Sequence, residues 1–402
     1  MFARRTYEEL MKSITSRGPE RSCPICISTS SNTIYSIQFP VNPCFALAPY
    51  QDIALCDKCG ALYASCSSTQ EDYDNYYQSL SKYITYDKSN SPIEVSRFKL
   101  TLEDLRPFIP RGRSILDIGC GSGGLLKLLK SEGHDLLSGF DACDLKPQGD
   151  FCFYRSELKN LGDSITGTFP LIISTGVLEH VHDLAQLLKQ VLAILDDDGY
   201  FYVQVPDAAA YQDNVVSPFQ DFNLEHINHF TALSLGNLLT RLGFEMIKSH
   251  TLLLPESPGY NMPVLSAVAI KSKHTCQFLS PIKDIEIVEK IQRYIEKSEQ
   301  LLEKFEDKIS KNLRGHKQCY IWGAGQLSLK LCQMEVFNST PILAFIDRSS
   351  SLVAINGTTI ISDPRQIRSD IPIVVGSVLH QESILKDIKL RSLTNLVITL
   401  SD

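Results

Sequence analysis

The stretch Ser114-Ile115-Leu116-Asp117-Ile118-Gly119-Cys120-Gly121-Ser122-Gly123-Gly124-Leu125-Leu126 decides how the middle of this chain is read. An apolar run with two β-branched residues gives way to a glycine-rich turn, and leucines at helical spacing follow, so the order is buried strand, tight turn, helix. Glycines at 119, 121 and 123 let backbone come close to a ligand, and the helix N-terminus behind them favours a carboxylate or phosphate. Asp117 precedes the first glycine. Asp141 closes the next apolar run, 18 residues beyond Gly123, where a carboxylate can accept both hydroxyls of a ribose. A dinucleotide site would carry GxGxxG, so this pattern fits a nucleoside whose other end is an amino acid better.

Working outward, the runs 171–176 (LIISTG), 199–206 (GYFYVQVP), 244–253 and 265–270 supply further strands, with helices expected near 183–195 and 233–242. That alternation predicts a parallel α/β sheet finished by antiparallel strands over 111–275. Residues 281–312 carry alternating charges, no glycine, and Val288, Ile291, Ile295, Leu302, Phe305 and Ile309 at steps of three and four, interrupted by Ser298. This predicts a long linker helix, packed against its own chain or against a second copy as a coiled coil. Beyond it, CYIWGAGQLSLKLCQM, ILAFID, IPIVVGS and NLVITL repeat the strand and helix alternation, so a small Rossmann-like domain is expected at 317–402. Asp347, at the end of ILAFID, can hold a nucleotide or cap a turn.

Upstream, Cys23-Pro24-Ile25-Cys26 and Cys56-Asp57-Lys58-Cys59 are two pairs with two residues between the thiols. Each pair can point both sulfurs at one ion from a tight turn, and together they complete a tetrahedral thiolate shell for structural zinc. The 29 residues between the pairs fit a β-hairpin insertion over 32–55, and a zinc-binding module is expected at 1–75. Cys44 and Cys66 are rival ligands without a CxxC partner. Between module and sheet, 76–110 reads as a tyrosine-rich connecting or lid segment ending in an amphipathic helix around Ser96–Leu105.

At 402 residues the chain is expected to hold two or three domains, and 43% hydrophobic with 21% charged residues is ordinary globular composition. A net charge of −7 disfavours holding nucleic acid by phosphate neutralisation. No run reaches the ~20 apolar residues of a membrane span, and the first residues lack a signal-peptide core, so a cytoplasmic protein is expected.

The segment 116–123 resembles motif I of class I S-adenosylmethionine-dependent methyltransferases. Val177-Leu178-Glu179-His180-Val181 resembles that family's VLEHV segment, and Asp198-Gly199-Tyr200-Phe201 its turn into the fifth strand. The resemblance implies a doubly wound α/β sheet and covers about 110–270. It implies that Gly119, Cys120, Gly121 and Gly123 line S-adenosylmethionine, that Asp117 faces its methionyl end, that Asp141 holds the ribose, and that Thr175 and Gly176 border the methyl donor. The whole-chain plan, with Phe222-Asn223-Leu224-Glu225-His226-Ile227-Asn228-His229-Phe230 resembling an EHxxxF signature, is similar to zinc-containing nucleotide-sugar C-methyltransferases. By that resemblance His226 is the base that deprotonates carbon beside a ketone, Glu225 orients it, and His180 is a second contact to the sugar. His229 is expected to make a structural hydrogen bond.

This chain departs from that family at Tyr76-Tyr77-Gln78-Ser79-Leu80-Ser81-Lys82-Tyr83, where relatives read YxYxSS, and at Trp322-Gly323-Ala324-Gly325-Gln326, where they read GYGAxxK. Tyr76 or Tyr77 is expected to reach the substrate. The leading expectation is methyl transfer to carbon of a nucleotide-linked sugar through an enolate. The alternatives are O- or N-methylation of another small molecule, or a non-catalytic binding protein on the same fold. Neither nucleic acid nor membrane is expected as a partner, and the linker helix leaves a homodimer open.

Overall fold

The computed structural model describes residues 21–40, 47–79, 91–142, 149–273, 280–348, 350 and 354–401. Cys44 and Leu80-Ser81-Lys82-Tyr83 lie outside the described residues. No helix among them is long and apolar enough to cross a membrane.

The chain begins with two knuckles and a hairpin. Strand β1 (Ser31–Gln38) pairs antiparallel with β2 (Tyr50–Cys56), and β2 with β3 (Leu62–Ser65). The second knuckle closes with Gly60 N–H donating to Cys56 O at 2.9 Å. Gly60 has φ +69°, and a Cβ there would sit 2.1 Å from Asp284 O, so only glycine admits the later chain that docks on this turn. The fourth strand of this sheet, β9 (Asn228–His229), comes from far downstream and pairs antiparallel with β3, Leu62 opposite His229 and Tyr63 opposite Asn228.

Two helices lead to the central sheet: α1 (Gln70–Ser79) and α2 (Pro92–Leu105), whose Ser91 side chain caps the first turn by accepting from Glu94 N–H. The sheet is built from β4 (Ile115–Ile118), β5 (Leu137–Asp141), β6 (Cys152–Arg155), β7 (Phe169–Thr175), β8 (Leu195–Pro206), β10 (Phe244–Ser257) and β11 (Tyr260–Lys271). Their spatial order is β10-β11-β8-β7-β4-β5-β6, with β4 to β8 parallel and β10 and β11 antiparallel at one edge. Helices α3 (Gly124–Ser131), α4 (Leu184–Ile194) and α5 (Ala232–Arg241) connect them. The chain leaves β4 toward β5 on one side and returns as β7 on the other. The ends of β4 and β7 therefore open a crevice where such sheets hold ligands.

Helix α6 runs over Ile287–Leu313, starting later than the sequence pattern suggests. Ile291, Tyr294, Phe305 and Ile309 are buried and Ser298 is buried among them, whereas Val288 is 37% exposed. Its apolar stripe is thus used on its own chain, against Tyr211 and Phe219, rather than left for a coiled-coil partner. The C-terminal sheet has the order β14-β15-β13-β12-β16-β17: β12 (Cys319–Trp322), β13 (Ile342–Ile346), β14 (Ala354–Ile355), β15 (Thr358–Ile361), β16 (Ile373–Val375) and β17 (Val397–Ile398). All but β14 run parallel, and α7 (Gln326–Leu331) and α8 (Gln381–Leu390) accompany them. The N-terminal sheet is shared between two cores. Tyr63 and Ala54 belong to one core with Ile172 and Phe201 of the central region, whereas Ile53 and Leu62 belong to another with Tyr294 and Ile321.

Candidate functional site

The crevice at the ends of β4 and β7 is a cavity of about 370 Å³. Its floor is the glycine turn. Gly119 and Cys120 N–H both donate to Phe140 O, at 2.8 and 3.3 Å, and Gly121 N–H donates to Asp141 Oδ2 at 2.8 Å. The carboxylate expected to take a ribose therefore also pins the turn that would face the rest of the nucleoside. The glycines differ in purpose. At Gly121 (φ +52°) a Cβ meets nothing within 4 Å, so the backbone conformation is what excludes other residues. At Gly119 a Cβ would lie 2.3 Å from Val177 Cγ2, so the close approach there is to the chain itself.

Asp117 stands behind the turn, 2% exposed, and its Oδ1 is buried without a hydrogen-bond partner. Burial, with Asp141 close by, pushes its carboxyl up to about 8. An orphaned buried carboxylate beside a glycine turn fits the ammonium of an amino-acid moiety, which supplies both the donor and the charge the site lacks. The residues present thus fit S-adenosylmethionine.

Gly119, Cys120, Gly121, Asp141, Thr175 and Gly176 all line this one cavity, and so do Tyr77 and His180, whereas Gly123, which a Cβ would drive to 2.5 Å from the Phe151 ring, and Asp117 do not. His180 Nδ1 is 2.9 Å from the main-chain oxygen of Glu225 and 2.9 Å from Tyr77 Oη. A carbonyl can only accept, so in the neutral ring Nδ1 carries the hydrogen and Nε2 the lone pair. That Nε2 lies 3.8 Å from Glu179 Oε1. Glu179 is a site residue that the sequence reading passed over, although it adjoins His180 in the same segment. It is 3% exposed, and burial raises its carboxyl, offset in part by His180.

Glu225, His226 and Tyr76 form a layer behind His180 rather than lining the cavity. The rings of His180 and His226 are 4.9 Å apart, edge to face. Tyr76 Oη donates to Glu225 Oε1 at 2.9 Å, and both residues are buried. The turn holding them is built by Asn223, whose Oδ1 accepts the N–H groups of Glu225 and His226, each at 3.0 Å. Ligand atoms of Glu179, His180 and His226 all come within 4.8 Å of one another, so the cluster can share a proton or hold a cation. His229 is separate. It is 1% exposed, 3.2 Å from Tyr211 Oη through Nδ1, and burial lowers it to about 3, which is the structural role expected of it.

The four cysteines converge away from this cavity. Cys23 and Cys59 sulfurs are 3.6 Å apart, Cys26 and Cys56 sulfurs 3.5 Å, and all four are buried. Zinc–sulfur bonds of about 2.3 Å in a tetrahedron put neighbouring sulfurs about 3.8 Å apart, so the donor set fits that metal with little adjustment. Cys66 is elsewhere, 3.8 Å from Tyr73 Oη.

Residues 94–249 match the family model of a methyltransferase domain. Among solved structures, the chain is similar to an S-adenosylmethionine-dependent methyltransferase from Methanosarcina mazei, at 20% identity over 42% of this chain and 98% of that one, with a TM-score of 0.35. It is similar to the 1,6-didemethyltoxoflavin-N1-methyltransferase of Burkholderia thailandensis, at 17% identity over 51% and 87% of the two chains, TM-score 0.37. The magnesium protoporphyrin IX methyltransferase of Synechocystis gives 16% identity over 44% and 84%, TM-score 0.34. No curated protein matches. That match makes residues 94–249 a methyltransferase domain, and the protein an enzyme.

Proposed function

We propose that this methyltransferase adds a methyl group to carbon next to a ketone of a nucleotide-linked sugar. The observation that carries the reading is the layer of His226, Glu225 and Tyr76 directly behind His180, which itself lines the cavity of the glycine turn. When bound, S-adenosylmethionine supplies an electrophilic methyl. Asp117 meets its ammonium, Asp141 its ribose, and the turn over 119–123 its remaining backbone-facing surface. Carbon needs more than proximity, because a proton must leave first. His180, the imidazole that lines the cavity, takes that proton on Nε2, His226 and Glu225 behind it hold the charge that then develops, and Tyr77 faces the oxygen of the enolate. A positioned base of this kind commonly contributes about 10²–10⁴-fold.

The four-cysteine cluster holds a structural zinc in this reading, since a filled thiolate shell leaves no open position for chemistry. The N-terminal sheet it anchors supplies helix α1, and with it Tyr76 and Tyr77, to the acceptor side.

The test is incubation with labelled S-adenosylmethionine and a panel of nucleotide-linked keto sugars, followed by mass and NMR location of the new methyl. A new carbon–methyl bond that disappears in His180→Gln, with cofactor affinity unchanged, supports the reading. Methyl found on oxygen or nitrogen overturns it. One observation favours that second outcome: Arg97 is the one lysine or arginine among the described residues lining the cavity, and it is already paired with Glu94 and Glu256, at 3.3 and 2.9 Å. A pyrophosphate must therefore be held elsewhere, whereas a small uncharged acceptor of an O-methyl group needs no cation.

A further inference from the structure

One charged side chain outside the cavity lining is buried without any role in the chemistry so far described. Lys330 sits on α7, against β12 of the C-terminal sheet in sequence, and is 7% exposed. Its ammonium does not reach solvent. It donates instead to the main-chain oxygens of Phe219, Phe222 at 3.1 Å and Pro218 at 3.5 Å, all in the segment that runs into the Glu225–His226 turn. An ammonium has three N–H donors, and here three carbonyls of one loop receive them.

That loop is an unusual one. Phe219 has φ +50°, a left-handed conformation that a bulky residue adopts only when its surroundings impose it. Phe222 N–H donates back to Phe219 O at 3.2 Å, and Asp221 N–H donates to Tyr294 Oη of α6 at 2.9 Å. Tyr35 of β1 stacks on Phe219, with ring centroids 4.5 Å apart. The next residue, Asn223, sends its Nδ2 to Gln220 O at 3.3 Å and takes the Glu225 and His226 N–H groups on its Oδ1. The conformation imposed at 218–222 is thus passed directly into the turn that aims the two acceptor-side residues.

We infer that Lys330 is a positioning residue for the acceptor side: the C-terminal unit reaches across the molecule and ties down the turn from which Glu225 and His226 project. The inference rests on the proposed role of those two residues, and it gives the C-terminal unit a function that does not depend on its binding any nucleotide. Burial lowers the ammonium to about 7, and the nearby Asp221 carboxylate offsets part of that. Asp221 is itself buried, with Oδ2 lacking a hydrogen-bond partner, so removing Lys330 alone would strand a buried charge.

The informative variant is therefore Lys330→Met/Asp221→Asn in the full chain, which removes both charges together. Its imidazole signals are read by ¹H–¹⁵N NMR on histidine-labelled protein, assigned with His180→Gln and His226→Gln, and hydrogen exchange is read at 223–227. S-adenosylhomocysteine affinity is measured by calorimetry. The expected result is cofactor affinity within about twofold of the parent, a shifted or broadened His226 ring signal, and exchange at 223–227 at least about tenfold faster. Lys330→Arg, which keeps a cation for the same carbonyls, serves if the double variant does not fold. It should keep more of the parental His226 signal than Lys330→Met. Unchanged His226 signals and exchange in the double variant overturn the inference, and so does a loss of cofactor affinity in step with them, which marks a general loss of fold. None of these readouts uses an acceptor, so the inference can fail while carbon methylation stands, and the reverse.

Discussion

The hydroxyl of Tyr76 donates to Oε1 of Glu225 at 2.9 Å, joining a helix of the N-terminal region to the EH turn in a place from which water is excluded. A hydrogen bond to a buried carboxylate is worth about 1.5–3 kcal/mol. Tyr76→Phe removes the donor and keeps the ring. Turnover should fall about ten- to hundredfold while S-adenosylhomocysteine affinity stays within about twofold, because Tyr76 and Glu225 lie behind His180 and away from the glycine turn. Steady-state kinetics and calorimetry on one preparation check this, and a matching loss in both would place Tyr76 in general packing instead.

Asp117 is expected to make cofactor binding depend on pH. Its carboxyl is held up at about 8 in the free protein, so at pH 7 it is mostly protonated. A bound ammonium favours the ionised form, and the proton must leave. Calorimetry at pH 7 in buffers of different ionisation enthalpy should report release of up to about one proton per site, falling toward zero above pH 9. The same raised value makes Asp117 stabilise the free protein most below its unfolded pKa of about 3.9, a contribution lost as pH rises through about 8. Asp117→Asn should remove both effects.

Asp141→Ala removes the expected ribose acceptor and also the acceptor of Gly121 N–H. S-adenosylhomocysteine binding should weaken by about 1.5–3 kcal/mol, roughly ten- to hundredfold. Asp141→Asn, which retains an acceptor for Gly121 N–H, should recover part of that. Equal losses in the two variants would mean that the charge alone matters.

About one zinc per chain should be found by metal analysis, and Cys23→Ser/Cys56→Ser should lose it. Since β3 pairs with β9, just beyond His226, zinc loss should raise hydrogen exchange at 226–230 as well as at 50–65, while S-adenosylhomocysteine still binds. Full zinc retention in the double variant would exclude these four residues as the ligand set.

The local parts of the site were legible in the sequence. Glycines at 119, 121 and 123 with Asp141 at the next strand end specify a turn by steric need alone, and two CxxC pairs specify a thiolate cluster by reach. The hairpin expected at 32–55 appears as β1 and β2. What could not be read was every contact set by the tertiary path. Nothing in a tyrosine-rich segment says that Tyr76 meets Glu225 while its neighbour Tyr77 meets His180. Glu179 looked like one letter of a motif, and only burial gives it a raised carboxyl in the cavity wall. Lys330 lies in a short helix whose pattern gives no hint that its ammonium crosses to the carbonyls of another unit.

The pairing of β3 with β9 sets an order on synthesis. When the first ninety residues leave the ribosome, β3 has a bare edge, with its N–H and C=O groups ready to accept any passing strand. Its own partner, Asn228–His229, is still untranslated, and pairings between such distant segments form slowly. The nascent chain therefore spends the interval as a three-stranded sheet with an open edge, and the zinc proposed for the two knuckles would constrain it early. Overexpression in metal-poor medium should accordingly send the protein to inclusion bodies through its N-terminal sheet, even though the enzyme's catalytic core lies elsewhere.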